Sequence, residues 1–152
     1  MSVFNNLGLM EPGVYPMTLG QLVETFGFSG KRKYLLSELE RFIRSAEETG
    51  MGIIRLIING SFVTDKEEPG DIDLYFIIDA NSLLTSSDQQ KFLNLMGHDL
   101  VKQQFSLDSY CHLDVVKPSN NFVEFFQYIG PKTAAIKQLH PDDLKGIVEL
   151  VR

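Results

Sequence analysis

Two short apolar runs near the middle of the chain constrain its fold more than any other feature. Positions 53–58 and 71–79 are short and rich in isoleucine. Runs of this length and composition are typical of buried strands. An eleven-residue connection that carries several charges joins them, at positions 60–70. We therefore predict two buried strands that are joined by an irregular loop.

Amphipathic helices are predicted on both sides of these strands. Thr18 and Gln21 have the spacing of a capping box, and a short helix should follow to about Phe26. Positions 31–49 repeat apolar residues at intervals of three and four, which predicts a longer helix with one buried face. A further helix is predicted from a cap at Ser87 to about position 104. The side chains expected to face inward from these last two helices are Leu35, Leu36, Leu39, Phe42, Ile43 and Ala46, and Phe92, Leu93, Met96, Leu100 and Val101.

The remaining segments complete a mixed fold. Positions 1–17 contain two prolines and should run extended over the surface, and positions 110–116 alternate as a third strand that ends at Pro118. A helix is predicted to begin at Asn121 and to end at Gly130, followed by a loop and a last edge strand from position 146. Interleaved strands and helices predict an α/β or α+β fold, with a mixed sheet and flanking helices in a single domain over positions 1–152.

The composition excludes several classes of protein. A net charge of −6 and a pI near 5.0 argue against a protein whose main role is to bind long nucleic acid through its phosphates. Its short basic run at positions 31–34 is predicted to be a solvated helix turn. No run is long and apolar enough to cross a membrane, and no secretory signal opens the chain, so a cytoplasmic protein without a membrane partner is expected. Cys111 is the only cysteine, which excludes a disulfide or a cysteine-based zinc site within the chain, and it is expected to be packed.

Asp71 and Asp73 lie one residue apart in the second predicted strand. Alternation directs Ile72 into the core and both carboxylates to the opposite side, where like charges repel. A third carboxylate from a neighbouring strand would complete an oxygen-rich site suited to Mg²⁺. Asp114 is the predicted third ligand, although Asp108 also lies close and strand register is uncertain by a residue or two. The alternative interpretation is that Asp71 belongs to a turn and that Asp73 is solvated on an edge strand.

A Gly-Ser pair, Gly60 and Ser61, follows the first of these strands. Glycine lets the backbone approach a ligand, and exposed N–H groups with a serine hydroxyl can hold phosphate oxygens. Lys66 is a candidate phosphate contact, as are Lys132 and Lys145, although a solvated loop lysine is the more common case. Phosphates beside paired carboxylates predict phosphoryl or nucleotidyl transfer. One metal would lower the pKa of the attacking hydroxyl, and a second would neutralise the pyrophosphate leaving group.

Two other features have alternative interpretations. His112 shares the predicted face of Asp114 and could line the site, but a lone histidine on a strand is more often structural. A group of aromatic residues near position 125 could form a base-stacking surface, yet its spacing on a short helix favours packing in the core or against a partner. This group consists of Phe122, Phe125, Phe126 and Tyr128.

The order of these features resembles that of a known superfamily. An apolar strand, Gly-Ser, a spacer, Asp-x-Asp in an apolar strand and a later strand aspartate are similar to the motifs of the DNA polymerase β-like nucleotidyltransferases. In this chain they are IINGSFVTDKEEPGDIDLYFIID and CHLDVV, within positions 50–117. More narrowly, PGVYPMTLGQL, NGSFVTDKEEPGDIDLYFIID and the terminal KGIVELV resemble a small bacterial and phage-associated family of stand-alone nucleotidyltransferase-like proteins.

The resemblance implies a nucleotidyltransferase-like fold and a role for each matched residue. Asp71, Asp73 and Asp114 would bind two Mg²⁺ ions, which Mn²⁺ could replace, and Asp114 would be the general base or its assistant. Gly60 and Ser61 would hold the triphosphate. The implied reaction moves a nucleoside monophosphate from an NTP to a hydroxyl of a protein, an RNA or a small molecule.

The resemblance also leaves a second function open. Enzymes of the superfamily usually have a separate helical domain that binds the base and positions the acceptor, and this chain has no room for one. A non-catalytic nucleotidyltransferase-like binding module of a toxin–antitoxin or phage-defence system is therefore the alternative. Such a module would act with a protein partner or as a homo-oligomer.

Overall fold

The computed structural model describes residues 3–117 and 121–151, and a five-stranded mixed sheet forms its centre. The strands are β1 (Gly13–Met17), β2 (Ile53–Asn59), β3 (Ile72–Ile78), β4 (Leu107–Leu113) and β5 (Gly146–Leu150). Their order across the sheet is β1-β5-β2-β3-β4. β2 is antiparallel to both β3 and β5, whereas β1 with β5 and β3 with β4 form parallel pairs.

Six α-helices and two 3₁₀ turns within the described residues surround the sheet, which confirms the predicted α+β class. The helices are α1 (Leu19–Phe26), α2 (Gly30–Glu48), α3 (Ser86–Met96), α4 (His98–Phe105), α5 (Phe122–Phe125) and α6 (Gly130–Lys137). The 3₁₀ turns are Gly60–Val63 and Ala80–Ser82. None of the helices in the described ranges combines the length and the apolar character that crossing a membrane requires.

The two faces of the sheet are covered differently. On one face, Ile72 and Leu74 of β3 join a large core with side chains from α1, α2, α3 and α4. The opposite face carries a smaller cluster around Tyr75, which side chains of α5 partly cover. Because side chains alternate along a strand, Asp73 shares the face of Tyr75. The predicted separation of Asp73 from the core residues on either side of it is confirmed.

The first two helices form for the local reasons that the sequence predicts. Thr18 and Gln21 make both hydrogen bonds of a capping box at the start of α1. At the start of α2, the Ser29 hydroxyl accepts a hydrogen bond from the backbone N–H of Arg32. All six residues predicted to face inward from α2 are buried. Capping and periodicity therefore determine these two helices without reference to the rest of the chain.

The N-terminal segment was predicted to run extended over the surface, but it contains a strand of the sheet and buried residues. Gly13–Met17 form β1, and Leu9 and Met10 before the strand are buried. β1 lies at an edge of the sheet, where a proline such as Pro16 is tolerated because an edge strand need not donate every N–H to a neighbour. The prediction that the last strand is an edge strand is also wrong, since β5 lies between β1 and β2.

The helix predicted over positions 87–104 is in fact two helices. Gly97 separates α3 from α4, and Thr85 rather than Ser87 caps α3, through a capping box with Asp88. A single periodicity cannot be extended across such a break, so the predicted buried face is only partly correct. Among the residues predicted to face inward, Phe92 and Val101 are buried, Leu93 and Leu100 are exposed, and the Met96 side chain lies outside the described residues.

The C-terminal region holds one more helix than predicted. α5 is a single turn, and the Asn121 side chain caps it by accepting a hydrogen bond from the backbone N–H of Glu124. Gly130 begins α6 instead of ending a helix, and Pro131 lies in the first turn, where a missing N–H costs no helical hydrogen bond. The segment that follows, predicted to be a loop, is helical as far as Lys137.

β4 begins earlier than its predicted start at position 110. It spans Leu107–Leu113, and Ser106, in the left-handed conformation with φ 55°, separates it from α4. The predicted end of the strand at Pro118 lies outside the described residues, and positions 114–115 already form a turn. The parallel register pairs Asp73 of β3 with Asp108 of β4. This register determines which carboxylates meet.

Candidate functional site

Three carboxylates converge at the start of the parallel pair β3–β4. Asp71 precedes β3, Asp73 is its second residue, and Asp108 stands opposite Asp73 on β4. One carboxylate oxygen from each residue can be chosen so that all three lie within 4.8 Å of one another. Parallel pairing produces this arrangement, because it aligns the starts of both strands at one edge of the sheet.

Asp114 does not join this cluster. It follows the far end of β4, where its backbone N–H donates to the carbonyl of Ile78 and its Oδ1 accepts from the backbone N–H of Ala80 at 3.0 Å. Ile78 lies five positions after Asp73 along β3, which corresponds to roughly 16 Å. The prediction that Asp114 completes the three-carboxylate site is wrong. Asp108, considered as the alternative if the register shifted, has that position because β4 starts at Leu107.

The Gly-Ser pair lies against the carboxylates. β2 ends at Asn59, and the 3₁₀ turn that starts at Gly60 carries the chain past Asp73. Gly60 has φ +78°, and a Cβ on it would stand 1.8 Å from Oδ2 of Asp73. Both the conformation and the close approach require glycine. The structure therefore shows the Gly60 backbone close to a carboxylate, whereas the sequence argument placed it close to a ligand.

Crowding and burial perturb the central carboxylate. Burial, followed by the charges of Asp71 and Asp108 and a hydrogen bond with Asp108, raises the pKa of Asp73 from 3.8 to about 7. Lys145 opposes this effect, and its own pKa is lowered from 10.5 to about 8, chiefly by burial and despite the charge of Asp73. The cluster thus concentrates more negative charge than its partly buried position can stabilise.

Two side chains from α4 contact the outer carboxylates. Nζ of Lys102 lies 3.3 Å from Oδ2 of Asp71, and this hydrogen bond raises the pKa of the Lys102 ammonium group. Nε2 of His98 lies 3.1 Å from Oδ1 of Asp108, while Nδ1 of the same ring faces the carbonyl of Ser109 at 3.1 Å. The predicted sites included neither residue, because both lay on a segment that showed only helical periodicity.

The carboxylates open into a cleft of about 870 Å³. Ser61 lies in its lining, as predicted. Lys102, Lys145 and the first turn of α6, which carries Lys132, also line the cleft. The side chain of Asn59 is only 3% exposed, and its Nδ2 has no hydrogen-bond partner among the described residues. The polar lining includes Asn59, Gly60, Ser61, Asp71, Asp73, Lys102, Asp108, Lys132, Thr133 and Lys145.

Lys66 is not part of this lining. Its side chain is exposed on the connection between β2 and β3, and its backbone carbonyl accepts hydrogen bonds from Nε and a terminal nitrogen of Arg32, at 2.9 and 2.7 Å. The prediction that Lys66 contacts phosphate at this site is wrong, because Lys66 lies outside the cleft. Lys145 and Lys132, also considered from the sequence, lie in the cleft instead.

Arg32 departs from the prediction that positions 31–34 form a solvated helix turn. Its side chain is fully buried, and burial lowers its pKa from 12.5 to about 10. The guanidinium group also stacks on the rings of Phe28 and Phe62, with its central carbon 4.1 and 4.8 Å from their centroids. Its hydrogen bonds go to the carbonyl oxygens of Phe26, Phe62, Thr64 and Lys66. Arg32 therefore fixes the connection that begins with the Gly-Ser pair.

His112 takes the structural role that the sequence argument favoured. The hydroxyl of Tyr75 hydrogen-bonds to its Nε2, and its Nδ1 lies 2.8 Å from the carbonyl of Leu113. The ring borders a smaller cavity of about 340 Å³ beside the main cleft. Cys111 borders the same cavity, and burial raises the pKa of its thiol to about 12. That perturbation agrees with the expected packing role.

The aromatic residues of the C-terminal region divide into two groups. Phe122 and Phe126 pack on Tyr75, with centroid distances of 5.2 and 5.5 Å, which agrees with the packing interpretation. Phe125 and Tyr128 are 55% and 40% exposed, and both line the main cleft. For the second group the prediction of core packing is wrong, because both side chains are exposed in the cleft, whereas packing against a partner and base stacking stay predictions.

Comparisons with known proteins give a family and no activity. No match to a curated protein or to a solved structure was found. A model of a family of unknown function, DUF6932, matches residues 2–151. Since that match extends over nearly the whole chain, the protein belongs to the DUF6932 family.

Proposed function

We propose that the protein is a Mg²⁺-dependent nucleotidyltransferase of the DNA polymerase β-like type. It transfers a nucleoside monophosphate from an NTP to a hydroxyl of a protein, RNA or small-molecule acceptor, in the cytoplasm. One observation carries the proposal: Asp71, Asp73 and Asp108 converge within 4.8 Å beside the Gly60–Ser61 turn, at the base of a large cleft. Converging carboxylates can hold the pair of metal ions that stabilises the attacking and leaving oxygens in nucleotidyl transfer.

The donor set fits a hard divalent cation. Asp71, Asp73 and Asp108 offer carboxylate oxygens, the ligands that Mg²⁺ and Mn²⁺ prefer. Burial, followed by the charges of Asp71 and Asp108, raises the pKa of Asp73, and a bound cation would offset the repulsion among these carboxylates. When bound there, one or two such ions supply Lewis-acid activation of the acceptor hydroxyl and neutralise charge on the pyrophosphate.

The residues around the carboxylates supply contacts for the phosphates. Lys145 is 2% exposed, and its Nζ makes only a 3.5 Å contact with the carbonyl of Phe126 among the described residues. A buried ammonium group with so weak a partner is well suited to a phosphate oxygen. The Ser61 hydroxyl and the N-terminal turn of α6, with Lys132, complete the anion-binding side of the cleft.

Asp108 and His98 are placed to accept the proton of the acceptor hydroxyl. The acceptor oxygen forms a bond to the α-phosphorus, the bond from that phosphorus to the bridging oxygen of pyrophosphate breaks, and the hydroxyl proton must be accepted. Nε2 of His98 lies 3.1 Å from Oδ1 of Asp108, a buried oxygen without a hydrogen-bond partner among the described residues, so this oxygen is free to take up that proton beside the imidazole. We therefore assign to Asp108 the role of general base, or of its assistant, that the resemblance implied for Asp114.

A second function is favoured by one specific observation. Phe125 and Tyr128 expose large aromatic surface at the rim of the cleft, and the described residues include one sheet with no separate helical domain. A non-catalytic module of a toxin–antitoxin or phage-defence system could use such a rim to bind a protein partner or a second copy of the chain. This module would bind nucleotide without transferring it.

Transfer of label distinguishes the two functions. The protein is incubated with each α-labelled NTP, with Mg²⁺ or Mn²⁺, and with a lysate of its native host, and label is then sought on protein, RNA and small molecules. We expect metal-dependent transfer that falls by orders of magnitude in Asp73→Asn, while Glu24→Gln, an exposed acid on α1, transfers normally. Transfer at the normal rate by Asp73→Asn would overturn the proposal, and nucleotide binding without transfer would favour the binding module.

A further inference from the structure

One side of the cleft is lined by aromatic rings, two of which are more than half exposed. We call Tyr110, Phe125, Phe126 and Tyr128 the aromatic wall; all four line the same cleft as the three carboxylates. Tyr110 and Phe125 are 54% and 55% exposed, so about half of each side chain is presented to the cleft or to solvent. Large aromatic surface is seldom left open beside a polar site unless it binds something.

The wall is held in place from behind. Phe126 stacks on Phe122 with a centroid distance of 5.9 Å and packs on Tyr75, so it is anchored to the sheet. Phe125 meets Phe126 edge to face at 5.6 Å, and Tyr110 lies 6.5 Å from the same ring. The exposed rings therefore rest on a fixed base and are already oriented before a ligand arrives.

The distance from the carboxylates suits a nucleotide. Tyr110 follows Asp108 by two residues on β4 and points to the same face of the sheet, about 7 Å farther along the strand. That separation is comparable to the span from a phosphate across a ribose to its base. The carboxylates and Lys145 would hold the phosphate end, which leaves the planar end over the wall.

We infer that the aromatic wall stacks on the base of the NTP and takes over the base-binding role within this single domain. The inference rests on the proposed function, because it uses the same cleft and the same nucleotide. Stacking recognises the π-face that every nucleobase shares, so all four NTPs bind through it. Tyr110 and Phe125 are binding residues in this arrangement, whereas Phe126 orients them.

The test compares ligands with and without a base. Affinities for ATP, GTP, CTP, UTP and inorganic tripolyphosphate are measured by calorimetry in Mg²⁺, with the full chain. The wild type should bind each NTP more tightly than tripolyphosphate. Tyr110→Ala and Phe125→Ala should weaken NTP binding roughly 5- to 150-fold, the loss expected when one base–aromatic stack is removed, and leave tripolyphosphate binding unchanged.

Matched variants separate the effect of the aromatic ring from that of apolar bulk. Phe125→Tyr and Tyr110→Phe retain a ring and should bind NTPs like the wild type, whereas Phe125→Leu, which retains apolar bulk alone, should behave like Phe125→Ala. Tyr34→Ala removes an equally exposed ring, 50% accessible, from α2 outside the cleft and should change no affinity. Melting temperatures of the variants show that each is folded.

Different results would overturn base stacking and nucleotidyl transfer. If NTPs and tripolyphosphate bind the wild type equally, or if NTP binding survives in both Tyr110→Ala and Phe125→Ala, the wall does not bind the base and the proposed function still stands. If neither NTPs nor tripolyphosphate bind in Mg²⁺, the proposed function fails and this inference fails with it.

Discussion

Gly60 and Asp73 act as one unit at the scale of single residues. The space that a Cβ on Gly60 would fill is occupied by the Asp73 carboxylate. Packing against the backbone removes water from that carboxylate, and the neighbouring acids add repulsion, which together raise its pKa to about 7. The glycine is therefore part of the carboxylate site, and a change at either residue should affect the other.

Gly60→Ala should disturb both stability and metal binding. Alanine in the left-handed region costs about 1–2 kcal/mol, and its methyl group would collide with Asp73 Oδ2. We expect a lower melting temperature and the loss of the stabilisation that millimolar Mg²⁺ would give the wild type by binding at the proposed site. Differential scanning calorimetry with and without Mg²⁺ measures both effects.

Gly30→Ala is the matched control for this change. A Cβ on Gly30 meets nothing within 4 Å, and the residue is the first of α2, where alanine is well accepted. This variant should melt at or above the wild-type temperature and keep its response to Mg²⁺. A Gly60→Ala protein with the same response to Mg²⁺ as Gly30→Ala would show that Gly60 does not shape a metal site.

The raised pKa of Asp73 predicts how stability depends on pH. The folded protein holds this proton up to a pH of about 7, whereas the unfolded chain releases it near 3.8. The resulting stabilisation is fully present below pH 3.8 and is lost as pH rises through about 7, by on the order of 4 kcal/mol. Asp73→Asn, which mimics the protonated form, should be more stable than the wild type at pH 8 without metal.

Urea unfolding of both proteins at several pH values checks this prediction. The advantage of Asp73→Asn should shrink between pH 7 and pH 4, and Mg²⁺ should reduce it at pH 8, because the cation stabilises only the ionised site. Glu24→Gln, an exposed acid outside the cleft, should show no such change. An advantage for Asp73→Asn that is equal at every pH would contradict the raised pKa.

At the scale of elements, α2 controls the connection between β2 and β3. Arg32 reaches from α2 to the carbonyl of Phe62, near the end of the 3₁₀ turn, and to carbonyls beyond the turn as far as Lys66. A guanidinium group presents five N–H donors in a planar fork, which suits several carbonyl acceptors at once. Arg32 thus adds to the other hydrogen bonds that hold this irregular connection, such as those from the Ser29 hydroxyl to the carbonyl of Glu67 and from the backbone N–H of Asp65 to the carbonyl of Gly8.

Arg32→Lys should therefore be a costly substitution. An ammonium group cannot reach the same set of carbonyls, and each buried acceptor that is left unpaired costs about 1–3 kcal/mol. We expect a loss of ~2–5 kcal/mol in the free energy of unfolding, measured in urea. Arg44→Lys on the same helix is the control: its side chain is 65% exposed and pairs with Glu40 on the surface. Equal effects of the two changes would show that Arg32 has no structural role.

The elements also show where sequence reasoning succeeds. Thr18 with Gln21 and the periodicity of α2 are local signals, and both gave correct helices. The start of β4 is not local, because it depends on Ser106 ending α4 and on pairing with β3. For that reason Asp71 and Asp73 could be predicted as a pair, whereas Asp114 was preferred to Asp108 as their neighbour.

At the scale of the whole molecule, sheet order explains the remaining differences. β1 has no hydrophobic run of its own, and it becomes a strand because β5 offers it a parallel partner. The burial of Lys145 depends on how β5 enters the sheet beside β2, which no local pattern around Lys145 reveals. Motif spacing predicted the central strands β2 and β3 and the mixed class. The edge strand β1 and the Lys145 side of the cleft depend instead on pairing between strands that are distant in sequence.

The position of β5 also sets the order in which the sheet can be assembled during translation. The ribosome releases β1 early, but β5, with which it pairs in the described residues, is made about 130 residues later, on the order of ten seconds at ordinary elongation rates. During that interval β2 and β3 can already pair, and the side of β2 that later receives β5 is an open edge. A nascent chain of this protein therefore carries an unpaired strand and an unprotected sheet edge at the same time, and each is satisfied only when β5 arrives between them.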